Sequence, residues 1–317
     1  YNDPRISMKK ALNALEAIGN TPIVKLNKVV PDYAADVWVK LEGGNPTGSY
    51  KDRMALAIIE GAEIRGDLKQ GMTVVEYTGG STGSGLAFVC AVKGYKFHVI
   101  SSDAFAKEKL DTMRAFGAKL EVIHSPSGKI NSNLINQMIY RAKKLATKDD
   151  YFFSDQLNNA DIIKGFEKMG LEILEQIDGS IDAFTCSVGT AGAFMGVSNI
   201  LLDSDKDTKI VALEPASAPY YSKNQPDGDH HVEGIGLGFE LPLLDKNNYH
   251  EARGIDESEA REMAKLLASE EGIFGGTSSG LNVVGAIQLA VELGKGKTVV
   301  TIAVDTGLKY LTGNLFM

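Results

Sequence analysis

Lys51 is the residue of this chain best placed for covalent chemistry. It stands in Asn45-Pro46-Thr47-Gly48-Ser49-Tyr50-Lys51-Asp52-Arg53, after the apolar run Val37-Trp38-Val39-Lys40-Leu41. The run reads as a strand, and Met54, Ala55, Ala57 and Ile58 beyond the lysine read as one face of a helix. Ser49 followed by Asp52 predicts a capping box, which puts Lys51 in the first helical turn. The positive end of a helix disfavours an ammonium, so such a lysine loses its proton more readily and can form a Schiff base. A lone lysine in a first turn is usually only a solvated side chain, so its neighbours decide.

Three further turns each follow a strand and open a helix, where open parallel sheets bind ligands. Thr78-Gly79-Gly80-Ser81-Thr82-Gly83 offers backbone N–H groups and hydroxyls to an anion. Ser187-Val188-Gly189-Thr190-Ala191-Gly192-Ala193 has the small residues that cradle a phosphate on a helix N-terminus. Gly275-Gly276-Thr277-Ser278-Ser279-Gly280 opens another helix. Small residues at such turns also serve tight packing, so each turn alone says little. Two nucleotide motifs fail. Gly83-Ser84-Gly85 begins like a dinucleotide fingerprint, but Phe88 stands at its third glycine. Gly296-Lys297-Thr298 ends like a P-loop, but Val291 holds the first glycine position. The histidines (His98, His124, His230, His231 and His250) have no metal-ligand spacing, and His230-His231 reads as a polar loop.

The elements that carry these turns alternate. Strands are predicted at 37–41, 73–77, 97–101, 119–124, 151–153, 181–188, 209–214 and 298–304. Helices are predicted at 83–93, 107–116, 131–146, 161–176, 192–202, 257–271 and 281–293. The alternation gives an α/β fold with mostly parallel sheet. Residues 217–248 are rich in Gly, Pro, Asp and Asn and read as a long loop, a length often tied to function.

A chain of 317 residues has room for two domains. With 44% hydrophobic and 23% charged residues it is globular. A net charge of −8 argues against nucleic acid as a partner. No apolar run approaches the roughly 20 residues of a membrane helix, so no membrane association is expected. Cys90 and Cys186 sit in apolar runs and read as buried thiols of a reducing compartment, and no secretory signal is visible, so the expected location is cytoplasmic.

Taken together and in this order, the lysine motif and the three turns resemble the pyridoxal phosphate enzymes of the tryptophan synthase β fold, on the cysteine synthase and cystathionine β-synthase branch. Ile18-Gly19-Asn20-Thr21-Pro22, Val232-Glu233-Gly234-Ile235-Gly236 and Thr306-Gly307-Leu308-Lys309-Tyr310 add to the likeness, which runs from about Ala14 to the end. The resemblance implies two open, twisted, mostly parallel sheets flanked by helices, with pyridoxal 5'-phosphate in the cleft between domains. The larger domain would be 1–44 with 148–317, and 45–147 a smaller, mobile one that binds the substrate carboxylate. Lys51 would hold the cofactor, Gly189, Thr190, Ala191, Gly192 and Ala193 its phosphate, and Ser278 would face the pyridine nitrogen. Thr78, Gly79, Thr82 and Gln156 would bind the substrate carboxylate, and Gly234 would lie in a loop that closes over the site. Relatives are commonly homodimers.

The implied reaction is β-replacement on a serine- or cysteine-type amino acid through an aminoacrylate, with an O-acetylserine-like donor and a sulfide or thiol nucleophile. The alternative is a lyase that eliminates from cysteine or serine, since the two paths share every step up to the aminoacrylate. Two positions depart from the family. Ser81 stands where an asparagine usually meets the cofactor's phenolic oxygen. The phosphate loop carries Ala191 and Ala193 where the family is richer in glycine and ends in threonine, which removes one donor.

Overall fold

The computed structural model describes residues 10–128, 132–225 and 228–317. In chain order its elements are β1 (Ile23–Lys25), β2 (Asp36–Leu41), α1 (Lys51–Arg65), β3 (Thr73–Tyr77), α2 (Ser81–Lys93), β4 (Lys96–Ser102), α3 (Lys107–Ala115), β5 (Lys119–Ile123), α4 (Ser132–Leu145) and β6 (Tyr151–Phe153). Then come α5 (Asp161–Gln176), β7 (Ala183–Ser187), α6 (Gly192–Ser204), β8 (Lys209–Pro215), α7 (Tyr220–Lys223), β9 (Glu251–Ile255), α8 (Glu257–Glu271), α9 (Thr277–Leu293) and β10 (Thr298–Ala303).

They form a six-stranded sheet in the order β1-β2-β10-β7-β8-β9 and a four-stranded sheet in the order β5-β4-β3-β6. Every pairing is parallel except β1 with β2. The strands show the alternation that a sheet covered on both faces demands. Val300 and Ile302 of β10 pack with α1, α5 and α6, whereas Val299 and Ala303 pack with α8 and α9. In β3, Val74 faces α2 while Val75 and Tyr77 face α4.

The mixed α/β fold with two mainly parallel sheets is as expected. The predicted helix start at 131, residues 226–227 of the predicted loop and residues 1–9 of the expected larger domain lie outside the described residues. The short strands β1 and β9 are additional to the expected set, and α7 interrupts the expected 217–248 loop. Strand β6 pairs with β3, so the smaller sheet takes in Tyr151–Phe153. The capping box does not form. Ser49 Oγ accepts from the Lys51 N–H (3.3 Å), while the Asp52 carboxylate turns back to accept from Thr47 N (2.7 Å) and the Thr47 hydroxyl. Tyr50, in helical conformation, precedes the helix instead. The tight Thr47–Ser49 turn offers Asp52 two donors at once, which outcompetes a single reach back to Ser49 N.

A buried ion network fixes the start of α1. The Arg53 guanidinium makes a two-pronged contact with Glu42 (2.7 and 2.8 Å) and another with Glu172 of α5 (2.7 and 2.7 Å). Lys40 adds a contact to Glu172 at 2.7 Å. Asn45 Nδ2 and the Thr21 hydroxyl also donate to Glu42, and Asn20 N donates to Glu172. Burial works to raise the Glu172 pKa, but Arg53 and Lys40 hold it down to about 2. Lys51 therefore lies between two anchors, Asn45 and Arg53, that converge on one carboxylate. The helices on either side come very close. A Cβ on Gly85 of α2 would lie 3.0 Å from the Lys51 carbonyl, and one on Gly165 of α5 would lie 2.9 Å from that of Arg53.

Removing Arg53 leaves the buried Glu42 carboxylate without its cation and Glu172 with Lys40 alone. Arg53→Met is expected to lower unfolding free energy by about 3–5 kcal/mol, read from the urea midpoint. A loss under about 1 kcal/mol would show that the network does not anchor α1.

Candidate active site

The segment leaving β10 is the spine of the site. Tyr50 N donates to Val304 O (3.1 Å), and Thr306 N donates to Gly48 O (2.9 Å), which fastens the lysine turn to one side. On the other side, Val304 N donates to Ser279 Oγ (2.9 Å), and Gly307 N donates to Phe274 O (2.9 Å), which fastens the Ser278 turn. Asn282 ties in the third turn, accepting from Ser187 N (2.7 Å) and donating to Ile302 O (2.8 Å). Lys51 and residues 187–193 follow the carboxyl ends of β2 and β7, whereas the Ser278 turn follows helix α8 rather than the expected strand and is bonded to the segment leaving β10.

The Lys51 amine has no acidic partner. Its Nζ lies 4.0 Å from Met54 Sδ and 5.1 Å from the centre of the Tyr50 ring. Burial, with no carboxylate to oppose it, lowers its pKa to about 8. The sequence gives the helix mouth as the reason for a reactive amine, and the structure adds partial burial away from any carboxylate of the described residues. Other lysines withdrawn from water are engaged. Lys40 meets Glu172, Lys109 meets Glu233, and Lys309 donates to Ser81 Oγ at 3.0 Å.

In the 187–193 turn, the N–H groups of Gly189, Thr190, Ala191, Gly192 and Ala193 donate to no described protein group, and the Ser187 hydroxyl is buried without a partner. Ala191 adopts φ +68° and ψ −14°, the left-handed region that turns successive N–H groups to one side. The turn presses against the loop that contains Gly234: a Cβ on Gly189 would lie 2.3 Å from Gly234 O. Ser278, only 6% exposed, makes no hydrogen bond to another described residue. It borders a cavity of about 170 Å³ together with Thr277, Tyr310, Glu233, His231 and Arg261. Lys51 is not among that cavity's walls.

The turn after β3 faces the spine from the smaller sheet. Gly80 N donates to Thr78 Oγ1 (3.2 Å). The Thr82 hydroxyl donates to Gln156 Oε1 (2.8 Å), so Gln156 and the turn act as one unit. Glu76 holds Gln156 in place, accepting from Gln156 N (3.0 Å), Tyr77 N (2.9 Å) and the Ser154 hydroxyl (2.7 Å). Burial pushes the Glu76 carboxyl up to about 8. Gly79 leaves room for Phe105, whose ring would meet a Cβ at 2.0 Å. Contacts that cross from this side to the spine include Lys109 of α3 to Glu233 and Lys309 to Ser81. Tyr310 sits under the Lys109 ammonium (5.0 Å to its ring centre) and donates to Asp305 Oδ2 (2.8 Å).

All the residues expected from sequence therefore fall in one connected region. Glu76, Lys109, Glu233, Asn282 and Asp305 were given no role by sequence. A charged residue inside the apolar run of β3 was the available signal for Glu76. Among the described residues no group of His, Cys, Asp and Glu could hold a metal ion. Cys90 and Cys186 are both buried and unpaired.

A family model described as pyridoxal-phosphate dependent enzyme matches residues 14–305. The chain belongs to that family. A cysteine synthase of Staphylococcus aureus is 42% identical over 313 residues, covering 98% of this chain and 99% of its own. O-ureido-L-serine synthase of Streptomyces lavendulae is 36% identical over 304 residues, covering 95% of this chain and 91% of its own. The crystal structure of cysteine synthase from Entamoeba histolytica matches with a TM-score of 0.91 at 32% identity, covering 100% of this chain and 93% of that one. The site suits the family's cofactor: a cradle of undonated N–H groups for a phosphate, an unpartnered Ser278 hydroxyl and an unpaired amine at Lys51.

Ala191 is the one residue of the phosphate cradle whose conformation is costly for a side chain, by about 1–2 kcal/mol. Ala191→Gly is expected to stay within about 1 kcal/mol of the parent, whereas Ala191→Val should lose more than about 2 kcal/mol through its branched Cβ at positive φ. Equal thermal stability of the two variants would contradict the left-handed turn.

Proposed function

We propose that the chain carries out β-replacement on a serine-type amino acid, joining an O-acetylserine-like donor to sulfide or a thiol as a cysteine synthase does. The carrying observation is a half-buried lysine amine with no acidic partner among the described residues, flanked by an anion cradle and a hydroxyl-rich turn. Pyridoxal phosphate, when bound, supplies the electron sink for charge that develops at the amino acid's Cα. Lys51 Nζ would hold the cofactor, and its free amine would take the Cα proton and later return it. A pKa of about 8 leaves about a tenth of that amine unprotonated at pH 7, far more than an ordinary lysine would have. The N–H groups of 189–193 and the Thr190 hydroxyl bind the phosphate. The Ser278 hydroxyl, a neutral donor, faces the pyridine nitrogen without forcing a proton onto it. Thr78, Gly79, Thr82 and Gln156 bind the substrate carboxylate, with Glu76 holding Gln156 in register. The loop containing Gly234 closes over the bound molecule and excludes water.

We assign 1–44 with 148–317 to a larger domain and 45–147 to a smaller, mobile one. The separate sheets support that division except at its second boundary, because β6, after 147, belongs to the smaller sheet. No helix among the described residues is long and apolar enough to cross a membrane. Two unpaired buried thiols support a cytoplasmic location, and the family resemblance supports a homodimer.

Purified protein supplied with O-acetylserine and sulfide should form cysteine, and Lys51→Ala should reduce the rate by on the order of a thousandfold or more. Full activity in Lys51→Ala, or no product from O-acetylserine, O-phosphoserine, serine or cysteine as donor, would overturn the assignment.

A further inference from the structure

Lys309 and Ser81 are 228 positions apart in sequence, yet the lysine reaches across from the segment after β10 to the turn after β3. Its stem passes the lysine turn, with Cε 3.7 Å from where a Cβ on Gly48 would stand. An ammonium has donors only, so in the 3.0 Å contact Ser81 Oγ must be the acceptor. The Ser81 hydroxyl makes no other hydrogen bond among the described residues. Its own hydrogen is therefore left to point elsewhere. A hydroxyl that accepts from a cation is also a stronger donor, because polarisation passes along the chain of bonds. Burial lowers the Lys309 pKa and Lys109 works in the same direction, but Asp305, Asp52 and Glu233 surround the ammonium and favour its charge.

We propose that Lys309 is a positioning residue that acts through Ser81, aiming and strengthening the serine hydroxyl as a donor to an anionic ring oxygen of bound pyridoxal phosphate. The pair does with a charged lysine and a short hydroxyl what a longer side-chain amide would do alone. This explains how Ser81 can serve at a position where the resemblance leads one to expect asparagine. It rests on the cofactor reading above.

The test is equilibrium binding of pyridoxal 5'-phosphate to cofactor-free protein. Lys309→Met and Ser81→Ala should each weaken binding by about tenfold, the scale of one hydrogen bond to a charged group. They should shift the visible absorption maximum of the bound cofactor in the same direction. The double variant should bind within about twofold of the weaker single one, since both remove one donor. Lys309→Arg should keep binding within about threefold of the parent, because its charge and donors remain. Ser81→Asn should restore binding in the Lys309→Met background, since an amide does not need the ammonium. Lys309→Gln replaces Lys309→Met if that variant does not fold. Independent, multiplying losses would overturn the inference and leave the cofactor reading standing. So would parental binding by Lys309→Met, or failure of Ser81→Asn to rescue. Failure of the parent protein to bind the cofactor would overturn both.

Discussion

A half-buried lysine amine with no counter-charge among the described residues is the constraint on which this site depends. Most buried lysines are paired, because an isolated ammonium in a poor dielectric is expensive. Lys40, Lys109 and Lys309 obey that rule through Glu172, Glu233 and Ser81. Lys51 breaks it, and the low-cost escape is to lose its proton. The same burial that would destabilise a structural lysine thus prepares a nucleophilic amine.

Such an amine must be prevented from swinging out to solvent, and the surrounding packing does this from three directions. Arg53, two residues on, is locked to Glu42 and Glu172. Asn45, six residues before, is locked to the same Glu42. The backbone between them is bonded to the segment after β10. That segment also carries the bonds to the Ser278 turn, so a shift of β10 would move the amine and the hydroxyl together. The smaller sheet reaches the same spine through Lys109–Glu233 and Lys309–Ser81.

Much of this was legible in the sequence. The apolar runs gave the long strands and helices, because a covered parallel sheet needs near-continuous apolar residues. Small residues at strand ends marked the turns that converge on the site. β1 and β9 escaped notice because each is short and lies at a sheet edge, where periodicity is weak. The capping box failed because Thr47 offered Asp52 a nearer pair of donors than Ser49 did. Partnerships such as Lys309 with Ser81 and Lys109 with Glu233 join residues 228 and 124 positions apart, and no local pattern encodes them. The left-handed backbone of Ala191 was likewise hidden, since alanine carries no signal for positive φ.

The central claim is that the unpaired amine, and not one of the paired ones, carries the cofactor. Borohydride reduction of the protein loaded with pyridoxal 5'-phosphate, followed by peptide mapping, tests it directly. The reduced adduct should sit on Lys51 at about one per chain. An adduct on Lys109 or Lys309 instead, with Lys51 unmodified, would contradict it.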